Sequence, residues 1–104
     1  MADGRERRRH PRKAVNVPAE FQVGEGPRKP ARLDQMSIGG SFVETGEVPE
    51  FGTEITLHFQ LPGADGPLSL PAVVRWISDS GMGVQFGALG ARDTYVLAEY
   101  LGKL

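Results

Sequence analysis

From Glu54 to Leu61, apolar and polar residues alternate without a break. Ile55, Leu57, Phe59 and Leu61 fall on one side, and Glu54, Thr56, His58 and Gln60 on the other. A period of two marks a half-buried β-strand, because successive side chains of extended backbone point to opposite faces. The same alternation runs through Val15, Val17, Ala19, Phe21 and Val23, interleaved with Asn16, Pro18, Glu20 and Gln22. Pro18 has no amide to give a ladder, so this first strand is expected at a sheet edge or with a bulge.

Turn residues divide the rest of the chain. Gly24-Glu25-Gly26-Pro27 precedes a second strand from Arg28 to Met36, Ser37-Ile38-Gly39-Gly40 interrupts it, and Ser41 to Glu44 forms a short third strand. Glu47 to Gly52 is a loop before the strand that begins at Glu54, and Pro62 to Pro67 is a turn after it. Leu68 to Ile77 is apolar on both faces around Val73, Val74, Trp76 and Ile77, so it reads as a central strand with Trp76 in the core. Asp79-Ser80-Gly81 is a hairpin turn, and Met82 to Phe86 is the sixth strand. Past Gly87 the period lengthens, with Leu97, Tyr100, Leu101 and Leu104 recurring at intervals of three and four on one helical stripe. A helix this short is marginal in water and must dock on the sheet. The pattern predicts a mainly β fold: a six-stranded antiparallel barrel with a C-terminal α-helix. Fourteen glycines and eight prolines in 104 residues suit so many tight turns.

Cysteine is absent, which excludes a disulfide framework and thiolate metal ligands. No apolar run reaches the roughly 18 residues of a membrane span, and the N-terminus lacks the hydrophobic segment of a secretory signal. A cytoplasmic protein with no membrane insertion is expected. Enzymatic readings are poor: two histidines and no convincing acid–base pair assemble neither a nucleophilic triad nor a metal site, and no GxxxxGK[ST] phosphate loop occurs.

Charge is distributed unevenly. Arg5, Arg7, Arg8, Arg9, Arg12 and Lys13 crowd the first thirteen positions against only Asp3 and Glu6, while the whole chain is −1. Residues 1–13 therefore read as a flexible basic arm and residues 14–104 as an acidic barrel with its helix. A cationic arm on an acidic body invites an anionic partner at the junction.

Two motifs in this arrangement resemble those of the PilZ family of bacterial cyclic di-GMP receptors. One is RxxxR just before the first strand, here Arg8-Arg9-His10-Pro11-Arg12. The other is [D/N]xSxxG between early strands, here Gln35-Met36-Ser37-Ile38-Gly39-Gly40. Val74-Arg75-Trp76-Ile77, then Gly81-Met82-Gly83-Val84-Gln85-Phe86 and a helix, extend the likeness over nearly the whole chain. The resemblance implies a PilZ-type barrel, cyclic di-GMP as ligand rather than any cofactor, no catalysis, and a downstream partner protein in motility, pilus function or exopolysaccharide production. Family members take one ligand molecule or an intercalated pair.

The implied site is Arg8, Arg9, Arg12, Gln35, Ser37, Gly39 and Gly40. A guanidinium fork makes paired bonds to the O6/N7 edge of guanine and to phosphate oxygens. Arg8 and Arg12 are assigned to those groups, and Arg9 to further phosphate contact or stacking. Ser37 adds a hydroxyl, and Gly39 and Gly40 permit close approach. Where the family has Asp or Asn, this chain has Gln35. Asp34 is acidic but one residue early, and on a regular strand it would face the other way. Only a bulge would return it, so Gln35 is taken as the occupant, with weakened binding expected.

Simpler readings stand beside these. A basic arm alone is a solvated tail or a nonspecific polyanion tether, and His58 reads as plain surface. The second function is a PilZ-like adaptor, with little or no nucleotide binding, that acts through protein contacts. Specific nucleic-acid binding is disfavoured.

Overall fold

A computed structural model of the protein describes residues 12–104. Six strands and one helix follow in order: β1 (Lys13–Gln22), β2 (Lys29–Met36), β3 (Gly40–Glu44), β4 (Glu54–Phe59), β5 (Leu68–Ser78), β6 (Gly81–Phe86) and α1 (Ala91–Gly102). The strands close into a barrel in the order β1-β2-β3-β6-β5-β4, every pair antiparallel. The mainly β barrel with a C-terminal helix is the fold the alternation predicted.

Alternation fills the interior. Phe21, Leu33, Leu57, Leu70, Met82 and Leu97 are among the side chains with almost no exposure, and they come from five strands and the helix. Burying each contributes about 1.5–3 kcal/mol. Leu97 and Leu101 carry the helix onto the barrel. Leu104 falls beyond the last helical turn and is 52% exposed, so the apolar stripe ends at Leu101 rather than at Leu104 as its spacing suggested. Val23, expected to continue the buried face of β1, is 43% exposed because the chain has already entered the turn before β2.

Closure removes the edge that Pro18 was expected to occupy. β1 pairs with β2 along its length and with β4 from Ala19 onward, so Pro18 stands where the β4 ladder has not begun. The β1–β2 register also shifts between Ala14 and Val17, which is the bulge alternative. Two further bulges shape the outer wall. The β2–β3 register shifts between Leu33 and Met36, and the β5–β6 register between Val74 and Trp76.

The β5 bulge corrects the placement of Trp76. Leu68, Leu70, Ala72 and Val74 all point inward, and unbroken alternation would send Trp76 after them. An extra residue inverts the phase of everything beyond it. Arg75 and Trp76 both end on the outside, and Trp76 is 43% exposed. Trp76 is not a core residue.

Candidate functional site

Outside the barrel, Trp76 faces a position with no side chain. Its partner across the ladder is Gly83 on β6, whose own partner on β3 is Phe42. A Cβ on Gly83 would fall within the indole, so the ring lies over this glycine and reaches the next strand but one. There it stacks on Phe42, with ring centroids 5.3 Å apart and planes at 28°. Offset aromatic pairs of this kind add about 0.5–1.5 kcal/mol beyond burial.

Beside the indole is a cleft of about 230 Å³ lined by Arg12, Gly39, Ser41, Arg75, Trp76 and Gly83, together with Val84 and Gln85. Small-molecule sites typically run to about 300–1,000 Å³, so this cleft accommodates part of a dinucleotide and leaves the remainder on open surface. Among the described residues no carboxylate lines it. Arg75 donates through Nε to Gln85 Oε1 at 3.0 Å.

The residues expected at the site divide into three groups. Arg8 and Arg9 lie outside the described residues. Arg12 and Gly39 come together in the cleft, Arg12 exposed at the root of β1. Gln35, Ser37 and Gly40 do not line it, although Ser37 and Gly40 stand beside Gly39 in the chain.

Ser37 and Gly40 have defined roles in the wall. Ser37 is 7% exposed; its amide donates to the Gly40 carbonyl at 2.8 Å, and its hydroxyl oxygen accepts from the Gly39 amide at 3.1 Å. The hydroxyl therefore shapes the turn that carries Gly39. The Gly39 carbonyl in turn accepts from the Phe86 amide at 2.8 Å, which fixes the turn to β6. Gly40 stands against backbone: an added Cβ would collide with the Val84 carbonyl oxygen. The glycine here lets two strands approach, in addition to any approach of a ligand.

Gln35 is exposed and pairs with Ala14, two residues from Arg12. The bulge that would spare Asp34 from the opposite face does occur. Between the inward Leu33 and Met36, both Asp34 and Gln35 stay out of the core, Asp34 half-buried. Neither lines the cleft.

Arg75, Trp76 and Gln85 were not singled out from the sequence as site residues. A signal existed in Gly81-Met82-Gly83-Val84-Gln85, where glycines two apart leave bare backbone on one strand face. An aromatic from a neighbouring strand is the usual cover for such a surface.

On β4, which lies across the barrel from the β3–β6 wall, His58 is more than surface. Gln22 donates from Nε2 to the Gly26 carbonyl at 2.9 Å, so its Oε1 accepts from His58 Nε2 at 2.9 Å. His58 Nδ1 then accepts from Ser69 Oγ at 2.9 Å. Burial, with the positive Arg28 nearby, holds the imidazole pKa below its ordinary value, and Glu20 opposes the shift. Among the described residues no cluster of His, Cys, Asp or Glu has the makings of a metal site. No described helix is long and apolar enough to cross a membrane.

The comparisons with known proteins agree with the fold. The PilZ domain family model matches residues 6–103. No curated protein matches the sequence. Among solved structures, the Bacillus subtilis inhibitor of motility (MotI/DgrA) superposes with a TM-score of 0.77 at 23% identity, over 93% of this chain and 50% of that one. This chain thus spans half the length of that protein. The PilZ domain of CeSA from a cellulose-synthesizing bacterium gives 0.72 at 18% identity, over 88% of this chain and 96% of that one. The PilZ domain of YcgR from Escherichia coli, solved with c-di-GMP, gives 0.73 at 17% identity, over 94% and 91%.

Proposed function

Because the chain belongs to the PilZ domain family, we propose that it is a non-enzymatic receptor for cyclic di-GMP that passes the signal to a partner protein. The observation that carries this reading is the meeting of Arg12, at the root of the basic segment, with Gly39 of the second motif in one outer-wall cleft. That cleft has two guanidinium groups, an exposed indole and, among its described residues, no negative charge. Those are the features a guanine nucleotide needs: cations for phosphodiester oxygens and the guanine edge, and an aromatic plane for the base. The ligand-bound state of the E. coli neighbour supports the choice of ligand.

In this reading residues 1–13 are a separate functional arm. Arg8, Arg9 and Arg12 grip the ligand from one side, and the wall around Ser37, Gly39 and Gly40 from the other. Gln35 supplies a neutral acceptor. Fixing backbone costs about 1–2 kcal/mol per residue, and a dianion held between arm and barrel offsets that cost. The root of the arm also contacts the far end of the chain, because Lys13 Nζ donates to the Leu104 carbonyl at 3.4 Å. A change at Arg12 is thereby adjacent to the C-terminal helix, a natural surface for a partner in a process such as motility, the output of the B. subtilis neighbour.

Isothermal titration with cyclic di-GMP, with GTP as control, tests the reading. Low-micromolar or tighter binding, abolished by Arg8→Ala or Arg12→Ala, is expected. An absence of heat at high ligand concentration would favour the adaptor that works through protein contacts. The position of Gln35 outside the cleft and the engagement of the Ser37 hydroxyl within its own turn speak for that second reading.

A further inference from the structure

Five arginines lie among the described residues, and three of them have a carboxylate partner. Arg28 is 3.6 Å from Glu20 and Arg92 is 3.4 Å from Asp93, while Arg32 meets Glu44 at 2.6 Å. The other two, Arg12 and Arg75, meet no carboxylate of the described residues, and both line the same cleft. Among the described residues, the cleft is thus a concentration of positive charge on a body that carries the chain's negative excess, and an anion is the group that joins two guanidiniums.

Arg75 is also held in a particular way. Among the described residues its one side-chain hydrogen bond runs from Nε to the neutral Gln85 amide oxygen, on the neighbouring strand β6. A guanidinium has five N–H donors, so this bond orients the side chain while none of the four Nη hydrogens is taken by another described residue. A neutral partner leaves the full positive charge in place. Pre-orientation lowers the side-chain entropy lost when an anion is bound. The β5 bulge puts Trp76 on the same outer face, immediately next in the chain. Charge and aromatic plane therefore share one rigid wall of the barrel.

We infer that Arg75 is an anion ligand of this site, contributed by the barrel itself and aimed by Gln85 as a positioning residue, and that it takes a phosphodiester oxygen of a guanine nucleotide. This deepens the receptor reading and rests on it for the identity of the nucleotide. It assigns the site a second cationic group, carried on β5 of the barrel itself, opposite the contribution expected of the N-terminal arginines.

The test titrates the full-length protein and its Arg75→Ala, Arg75→Lys and Gln85→Ala variants with cyclic di-GMP at low and high salt, with melting curves to show that the fold is kept. Arg75→Ala should weaken binding by about 10- to 100-fold and make it less sensitive to salt. Gln85→Ala should cost about 3- to 10-fold with the salt sensitivity intact, because the charge remains. Arg75→Lys should fall between, since an ammonium keeps charge without the fork. Wild-type binding with Arg75→Ala within twofold of it would overturn the inference and leave the receptor reading standing. If the wild type binds no cyclic di-GMP, that reading fails, and the inference is decided by NMR with 5′-GMP and inorganic phosphate as probes. Saturable shifts at the Arg75 Nε–H and the single tryptophan indole N–H, lost in Arg75→Ala, would uphold an anion site, and unmoved resonances would refute it.

Discussion

Trp76 lies across Gly83, its indole filling the volume that any β-carbon on that glycine would occupy. The pairing joins β5 to β3 over the top of β6, and it exists because a bulge at Arg75 turned the indole outward. Gly83→Ala must displace the ring. The displaced group is the end of a side chain, so the fold should survive with a melting temperature close to that of the wild type. The emission of the protein's single tryptophan should move to the red as the indole leaves Phe42. Cyclic di-GMP affinity should fall several-fold with it. An unchanged emission spectrum would mean the ring does not rest on Gly83.

Gly40→Ala has the opposite character. The obstruction there is the Val84 carbonyl oxygen, part of the β3–β6 ladder, which cannot rotate away. Overpacking against backbone costs about 1–3 kcal/mol and occasionally more. A loss on the order of 10 °C in melting temperature is expected for a domain of this size. A variant that melts like the wild type would show that β3 and β6 have room to separate.

These two glycines also show what the sequence made legible and what it did not. Strict alternation from Ile55 to Leu61 announced a half-buried strand, and its register in the barrel follows from it. Trp76 could not be placed by the same rule. One unpaired residue at Arg75 reverses the phase of the strand, and no local signal in Val74-Arg75-Trp76-Ile77 marks it. The cleft suffered the same way. It gathers residues from the root of β1, the β2–β3 turn, β3, β5 and β6, which the pairing of strands distant in the chain makes neighbours. The arginines of the arm and the Ser-x-x-Gly turn were visible because each is contiguous in the chain. The Arg75–Gln85 bond spans two strands and was not.

His58 gives the barrel a pH dependence with a definite sign. Burial and Arg28 hold its pKa below the ordinary 6.5. The folded state therefore binds the proton more weakly than the unfolded chain. Its contribution is fully present above about pH 6.5 and is lost as pH falls toward the depressed folded value. Melting temperature should decline from pH 7 to pH 5, and His58→Gln should flatten part of that decline. The second histidine, His10, is present in both proteins and drops out of the difference. Parallel pH profiles for the two would remove His58 as a source.

Gln35 and Asp34 can be separated by exchange of charge. The β2 bulge keeps both outside the core, so geometry alone does not send either to the interior. Gln35 pairs with Ala14 and stands two residues from Arg12, whereas Asp34 is the more enclosed of the two. A carboxylate at position 35 would accept charge-assisted bonds from the guanine N1–H and N2–H₂ groups, in place of the weaker bonds of a neutral amide. Replacing a neutral acceptor with a charged one contributes about 1–2 kcal/mol where the geometry is good, which is about a tenfold gain in affinity. Titration of Gln35→Asp with cyclic di-GMP should show that gain, and Asp34→Ala should change affinity by less than twofold. The reverse pattern, with Asp34→Ala abolishing binding and Gln35→Asp neutral, would transfer the acceptor to Asp34 and make the bulge the device that delivers it.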